Sequence, residues 1–211
     1  RNDDGREGTI AEIIFRLPET GRYRLLANAY DSGGRGAYKL TVAQADEQAL
    51  RLAEADSLLQ QGNEAFRGSQ YQSVLELFQS ALVIYRQINV RQGEAASLNG
   101  LGLASRSLGE YERAIDLHQQ NLAIAREIGN RQGEAKALCN KGHDNNSLGE
   151  YERATDLHQQ QLAIDREFGF RQGEANALGS LGLAYESLGE YQRAIDFHQQ
   201  SLAITREIGD H

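Results

Sequence analysis

The sequence predicts a mainly α protein: an α-solenoid of antiparallel helix pairs preceded by a small antiparallel β segment. Three observations predict it. The block 91–130, RQGEAASLNGLGLASRSLGEYERAIDLHQQNLAIAREIGN, returns in register at 131–170 and again at 171–210, with most positions identical. A fixed period of this length describes one supersecondary unit stacked along an axis, not a globular core around a central cleft. Near Gln44 the apolar period changes from two to a helical spacing. The chain also holds a single Pro and is rich in Ala, Leu, Glu, Gln and Arg, the residues that favour helices.

Residues 1–43 make up the β part. Ile13 to Leu17 reads as a strand that stops at the turn Pro18-Glu19-Thr20-Gly21. Tyr23, Leu25, Ala27 and Ala29 recur at every second position, and Tyr38, Leu40 and Val42 do so again beyond a glycine-rich turn at 31–36. The last two runs read as a hairpin. Three strands bury little surface alone, so this segment needs something to lean on.

Residues 44–211 form the array, in units 51–90, 91–130, 131–170 and 171–210. The first unit diverges most, yet Leu58, Gly62, Tyr71 and Leu82 precede Leu98, Gly102, Tyr111 and Leu122 by one period. Leu98, Leu101, Gly102, Ser105 and Leu108 share one face of a first helix, which Gly109-Glu110 breaks. Tyr111, Ala114, Ile115, Leu122 and Ile124 line a second helix that ends at Gly129. Small Gly102 and Ala114 mark where the two helices approach closely. Each unit is therefore an antiparallel helix pair.

These residues resemble the tetratricopeptide repeat. The carrying features are a Leu-x-x-Leu-Gly core in the first helix, a Gly before Tyr, and an Ala three residues after that Tyr, recurring over roughly residues 48–210. The resemblance implies a right-handed superhelix whose first helices line a concave, peptide-binding wall. The forty-residue period exceeds the usual ~34, so both helices are expected to be longer. The form LGEY…AI…H…L.I.RE is similar to bacterial repeats often linked to caspase-like CHAT peptidase domains, and to animal spindle-orientation adaptors that bind extended peptides. No peptidase domain lies in this chain. Residues 1–43 resemble the second half of a bacterial pre-peptidase C-terminal (PPC) β-sandwich. That match rests on Asn2-Asp3-Asp4-Gly5, Leu17-Pro18-Glu19-Thr20-Gly21-Arg22-Tyr23 and Gly36-Ala37-Tyr38-Lys39-Leu40. It implies an extracytoplasmic parent protein; a cytoplasmic one stays open.

Composition narrows the partners. A formal net charge of -8 argues against nucleic acid, whose binding needs clustered Lys and Arg. No apolar stretch is long enough to span a bilayer, which argues against a membrane partner. Cys139 is the single cysteine, so no intrachain disulfide forms. The first residue is Arg1 and not Met, so the chain reads as a piece of a longer protein.

Catalytic chemistry finds no foothold. His118, His158 and His198 are equivalent, one period apart, and zinc bonds of ~2 Å cannot bridge helices about 8–10 Å apart. Each is expected to pack between helices, where Phe78 stands in the first unit. Cys139 and His143 are one helical turn apart with Asp144 beside them, but a structural zinc wants four ligands. The same pair lacks an oxyanion donor and an orienting acid for thiol catalysis. Gly100-Leu101-Gly102 and Gly33-Gly34-Arg35-Gly36 lack the residues of phosphate-cradling loops. Glu110, Glu150 and Glu190 read as turn residues of the repeat. No catalytic residue, metal or cofactor is expected.

The third unit departs from its neighbours at Cys139-Asn140-Lys141-Gly142-His143-Asp144-Asn145-Asn146. Lys141 replaces a core Leu, a loss of roughly 2–5 kcal/mol, so this helix is expected to be the weak point of the stack. The concave stripe at i, i+3, i+7, i+10 holds Lys136, Cys139, His143 and Asn146. Beside it run Ala96, Asn99, Leu103 and Arg106, and on the other side Asn176, Gly179, Leu183 and Glu186. Asp56, Leu59, Asn63 and Phe66 continue the stripe in the first unit. The departure reads either as a polar pocket in a peptide-binding groove or as drift in a redundant repeat. The expected role is a scaffold that binds a peptide or helix of a partner protein. The alternatives are a regulatory arm of a larger CHAT-type peptidase and a self-assembling spacer, associating through the last helix, which nothing after Gly209-Asp210-His211 covers.

Overall fold

The computed structural model describes the backbone of residues 11–16, 22–29 and 38–44, and residues 46–209 in full. Strands β1 (Ala11–Arg16), β2 (Arg22–Ala29) and β3 (Tyr38–Gln44) pair antiparallel in the order β1-β2-β3. Leu25 stands opposite Ile13 on one side and Val42 on the other. Asn2–Gly5, the turns at 18–21 and 31–36, and Asp210-His211 lie outside the described residues. The chain divides into two compact units between Glu54 and Ala55, and each is taken by itself here.

Eight helices follow the sheet among the described residues. They are α1 (Glu47–Arg67), α2 (Tyr71–Gln87), α3 (Arg91–Ser107), α4 (Tyr111–Glu127), α5 (Arg131–Leu148), α6 (Tyr151–Glu167), α7 (Arg171–Ser187) and α8 (Tyr191–Gly209). From α2 onward each packs on the next, and α5 also touches α3 and α7. Glycines at 109, 129, 149, 169 and 189 end the helices with φ between 67° and 80°, a left-handed conformation that costs glycine nothing. In the first unit Ser69 and Asn89 adopt it at φ 56°.

Leucines alternate with small residues in the core. Leu98, Leu101, Leu138, Leu178 and Leu181 are almost wholly buried, as are Ala104, Ala114, Ala154 and Ala184. Each buried Leu contributes about 1.5–3 kcal/mol. Leu108, expected on the buried face of α3, is 42% exposed. It is the C-cap residue, past the last helical turn, where the face rotates out of the core.

A ring laid on a glycine sets the spacing within each pair. A Cβ added at Gly62 would fall 2.8 Å from the Phe78 ring. At Gly102, Gly142 and Gly182 it would fall 2.5 Å from His118, His158 and His198. The histidines thus take the place of Phe78, and their glycines let the helix backbones close around them.

The recurring Arg-Gln-Gly-Glu has a structural task. Glu134 is buried and accepts from Arg126 Nε at 2.8 Å and from Arg131, which also reaches Glu167. Arg86, Arg91, Glu94 and Glu127 make the same clasp one unit earlier, and Arg166, Arg171, Glu174 and Glu207 one unit later. Each clasp ties the second helix of one pair to both helices of the next. Burial opposes ionisation of Glu174, but its two guanidinium partners outweigh that and hold its carboxyl below the ordinary range.

The third unit keeps its helix. α5 runs unbroken for 18 residues against 17 in α3 and α7. Lys141 stands where Leu101 and Leu181 are buried, but its Nζ escapes the core and donates to Gln119 Oε1 at 2.6 Å. Asp144, in the place of Ala104 and Ala184, is fully buried between His118 and Arg106.

Candidate partner-binding groove

The first helices of units two to four present their N-terminal halves to one groove of about 800 Å³. Its walls are α3, α5 and α7, and its floor comes from the C-terminal halves of α4 and α6. Helices this tightly clasped hold their side chains with little freedom left to lose on binding.

Of the stripe residues, Ala96, Asn99, Lys136, Cys139 and Asn176 line this groove. Asn99 Oδ1 accepts from Asn140 Nδ2 at 2.9 Å, which joins two walls of neighbouring units. Arg106 turns aside, its Nη1 3.4 Å from both Asn140 O and Asp144 Oδ1. His143 lies against His158, ring centroids 5.1 Å apart. Leu103 and Asn146 are half-buried, and Leu183 and Glu186 are exposed farther along α7. A smaller hollow of about 390 Å³ on α1 gathers Asp56, Leu59 and Asn63. Phe66 packs edge-on against Tyr71 instead.

Sequence reasoning missed the floor. Asn121, Gln161 and Asp165 come from the second helices and line the groove from below. The signal was available: positions 81, 121, 161 and 201 read Ala, Asn, Gln and Ser, and positions 85, 125, 165 and 205 read Tyr, Ala, Asp and Thr. Both stand in a helix that otherwise repeats closely.

Electrostatics in the groove follow burial. The Cys139 thiol is pushed up to about 11 by desolvation, with Arg106 pulling it down and Asp165 raising it. It is therefore protonated and unreactive near neutrality. Asp165 is raised above the ordinary carboxylate range by burial; a hydrogen bond from Gln161 opposes this and Glu174 adds to it. Gln161 donates to Asp165 Oδ2 at 3.1 Å, while its own Oε1 is buried without a hydrogen-bond partner. Burial and the Arg106 charge also lower His143. Among the described residues no group of three or more His, Cys, Asp or Glu is placed to hold a metal ion. No described helix is long and apolar enough to cross a membrane.

A family model described as tetratricopeptide repeat matches residues 93–167 and again 133–207, together more than half of the chain. The chain belongs to the tetratricopeptide repeat family. Three solved structures show the same fold at low identity. BtubC (BKLC) from P. vanneervenii is 19% identical with a TM-score of 0.69, covering 74% of this chain and 65% of that one. Aspartyl phosphate phosphatase F from Bacillus subtilis is 20% identical with a TM-score of 0.72, covering 76% and 42%. A Rap protein complexed with competence and sporulation factor is 22% identical with a TM-score of 0.69, covering 75% and 44%. This tetratricopeptide chain thus spans less than two thirds of the length of each. No curated protein matches its sequence. The groove formed by α3, α5 and α7 is the first-helix wall of a tetratricopeptide solenoid.

Proposed function

We propose that this tetratricopeptide array, taken as residues 44–211, is a protein–protein interaction scaffold that binds an extended peptide or helix of a partner in its groove. One observation carries the reading. A groove of about 800 Å³ is lined by carboxamide side chains, with Asn99, Asn140 and Asn176 on its walls and the unpartnered Gln161 Oε1 on its floor. Carboxamides both donate and accept, so they suit a peptide backbone, and buried unpaired acceptors favour an incoming donor. The relative complexed with competence and sporulation factor supports this use of the fold.

The test is selection of a displayed random-peptide library on the protein, followed by anisotropy measurements with labelled winners. Replacing Asn99, Lys136 and Asn176 together by Ala weakens them about tenfold or more. Winners that bind both proteins equally would remove the groove from consideration.

A second reading rests on α8, where Tyr191, Ile195 and Leu202 are 66%, 48% and 49% exposed. A face this apolar favours a second copy or another domain. Light scattering that shows only monomer at high concentration counts against the copy. The resemblance of the repeats to CHAT-linked arrays makes the other candidate an arm of a larger peptidase, holding a segment of its own chain. The parent sequence beyond His211 decides that. Residues 1–43 are read as the PPC-like part of an exported parent, which the upstream sequence tests.

A further inference from the structure

We propose that the groove holds an arginine of the bound segment at the corner between α6 and α7. Its guanidinium meets the Asp165 carboxylate on the floor and lies beside the Phe170 ring. This rests on the peptide-binding reading and names a partner chemistry for it.

Three departures from the repeat meet at this corner. Position 165 is Asp where the other units have Tyr85, Ala125 and Thr205. Position 161 is Gln in place of Ala81, Asn121 and Ser201, and position 170 is Phe in place of Val90, Asn130 and Asp210. All three side chains line the groove. The fold joins them: the Phe170 amide donates to the Asp165 carbonyl at 2.8 Å, and Gln161 Nε2 donates to Asp165 Oδ2 at 3.1 Å. Gln161 Nε2 also lies 3.4 Å from Gly173 O. Both of its amide hydrogens are thereby used, and its Oε1 is buried without a partner. The two side chains on the floor have acceptors left to offer and no donor.

The scaffold accommodates Tyr, Ala or Thr at this position, so packing does not call for a carboxylate. Asp165 is 3% exposed, and a buried charge is costly unless a cation answers it. Its side-chain hydrogen bond comes from a neutral amide. The nearby cations are committed elsewhere or turned outward. Arg166 is held by Glu174, Arg171 by Glu174 and Glu207, and Lys136 stands exposed on the α5 wall. Glu174 adds further negative potential at Asp165. A charged donor meets these acceptors best. Arginine suits the corner better than lysine, because its guanidinium is more weakly hydrated, stays charged when buried and stacks on aromatic faces. The molecule itself shows this pairing next door. The Arg131 guanidinium lies 5.5 Å from the centroid of the Phe168 ring, and Phe168 is stacked with Phe170 at 5.9 Å.

The experiment sequences the library winners and exchanges each arginine they share for citrulline, which keeps the shape of the side chain and removes its charge. Anisotropy gives the affinities on the unaltered chain and on Asp165→Asn, whose fold circular dichroism melting verifies. Winners are expected to share an arginine. On the unaltered chain citrulline in its place weakens binding about tenfold and lysine about threefold, whereas Asp165→Asn binds the arginine and citrulline forms alike. Phe170→Val, which copies Val90, is expected to narrow the preference for arginine over lysine. Should Asp165→Asn fail to fold, Asp165→Ala repeats the comparison with the residue that the preceding unit carries. If winners depend on Asn99, Lys136 and Asn176 but share no arginine, or lose equally to citrulline on both proteins, this inference falls and the groove reading stands. If no peptide is enriched, both fall.

Discussion

Asp144 Oδ2 and His118 Nδ1 are 2.5 Å apart, and both side chains are fully excluded from solvent. The pair joins α5 of the third unit to α4 of the second. Its equivalents are Phe78 with Ala104 in the preceding unit and His158 with Ala184 in the following one. Only the middle pair couples a polar ring to a polar partner. The contiguous departure in the third unit therefore includes an acceptor placed where the neighbouring helix supplies a buried donor.

Asp144→Ala should lower stability by about 1–3 kcal/mol, because it leaves a buried imidazole nitrogen unpaired. Adding His118→Phe recreates the Phe78–Ala104 pair and should recover most of that loss. Urea unfolding of the two single variants and the double variant reads the coupling directly. Additive effects would mean that the pair contributes nothing as a pair.

His158 has no hydrogen-bond partner on either ring nitrogen, and its pKa is depressed to about 4, chiefly by burial and then by His143. The folded protein keeps it neutral, whereas in the unfolded chain it titrates near ~6.5. Below that value the unfolded state binds more protons. The contribution is thus present above about pH 6.5 and is lost as pH falls towards 4, a change of roughly 3 kcal/mol. His143 is shifted in the same direction. His158→Phe, which copies Phe78 over its glycine, should flatten this acid limb and raise stability at neutral pH by about 1–2 kcal/mol. Urea unfolding at pH 7 and pH 4.5 compares the two proteins; equal losses would overturn the assignment.

Gly102 and Gly179 both sit inside helices, where Gly→Ala ordinarily stabilises by up to about 1 kcal/mol. At Gly102 the new Cβ would lie 2.5 Å from His118 Nε2, and at Gly179 its nearest neighbour is Ser201 Oγ at 3.6 Å. Gly102→Ala should cost about 1–3 kcal/mol through overpacking, while Gly179→Ala should be neutral or stabilising. Opposite signs in thermal melts are the expected result.

Ser69 holds φ 56° at a position where the later units have glycine. Ser69→Gly removes a left-handed strain of about 1 kcal/mol, set against the greater entropy of an unfolded glycine. A small rise in melting temperature is expected. No change, or a fall, would show that the hydroxyl repays the strain.

Much of the array was legible in the sequence because its causes are local. The helix pairs, the glycine terminators and the packing of His118 and His158 in the place of Phe78 follow from periods and equivalences that any row of the repeat displays. Five of the stripe residues, Ala96, Asn99, Lys136, Cys139 and Asn176, reach the groove for the same reason: they share a helix face. Arg106 and His143 share it too, yet the first is drawn to Asp144 and the second to His158. Those partners lie on another element or another unit, and no spacing rule within one helix reports them.

The floor was hidden for a related reason. Gln161 and Asp165 belong to second helices, and they matter to the groove only once Gly173 lets the following helix close over them. By itself the sequence determined the unit, its period, its family and the faces that pack, since each depends on residues a few positions apart. The tertiary structure alone decided how deep the groove is and which polar groups are buried in it. Those properties depend on the volumes of side chains a full unit apart in the chain, brought together only by stacking.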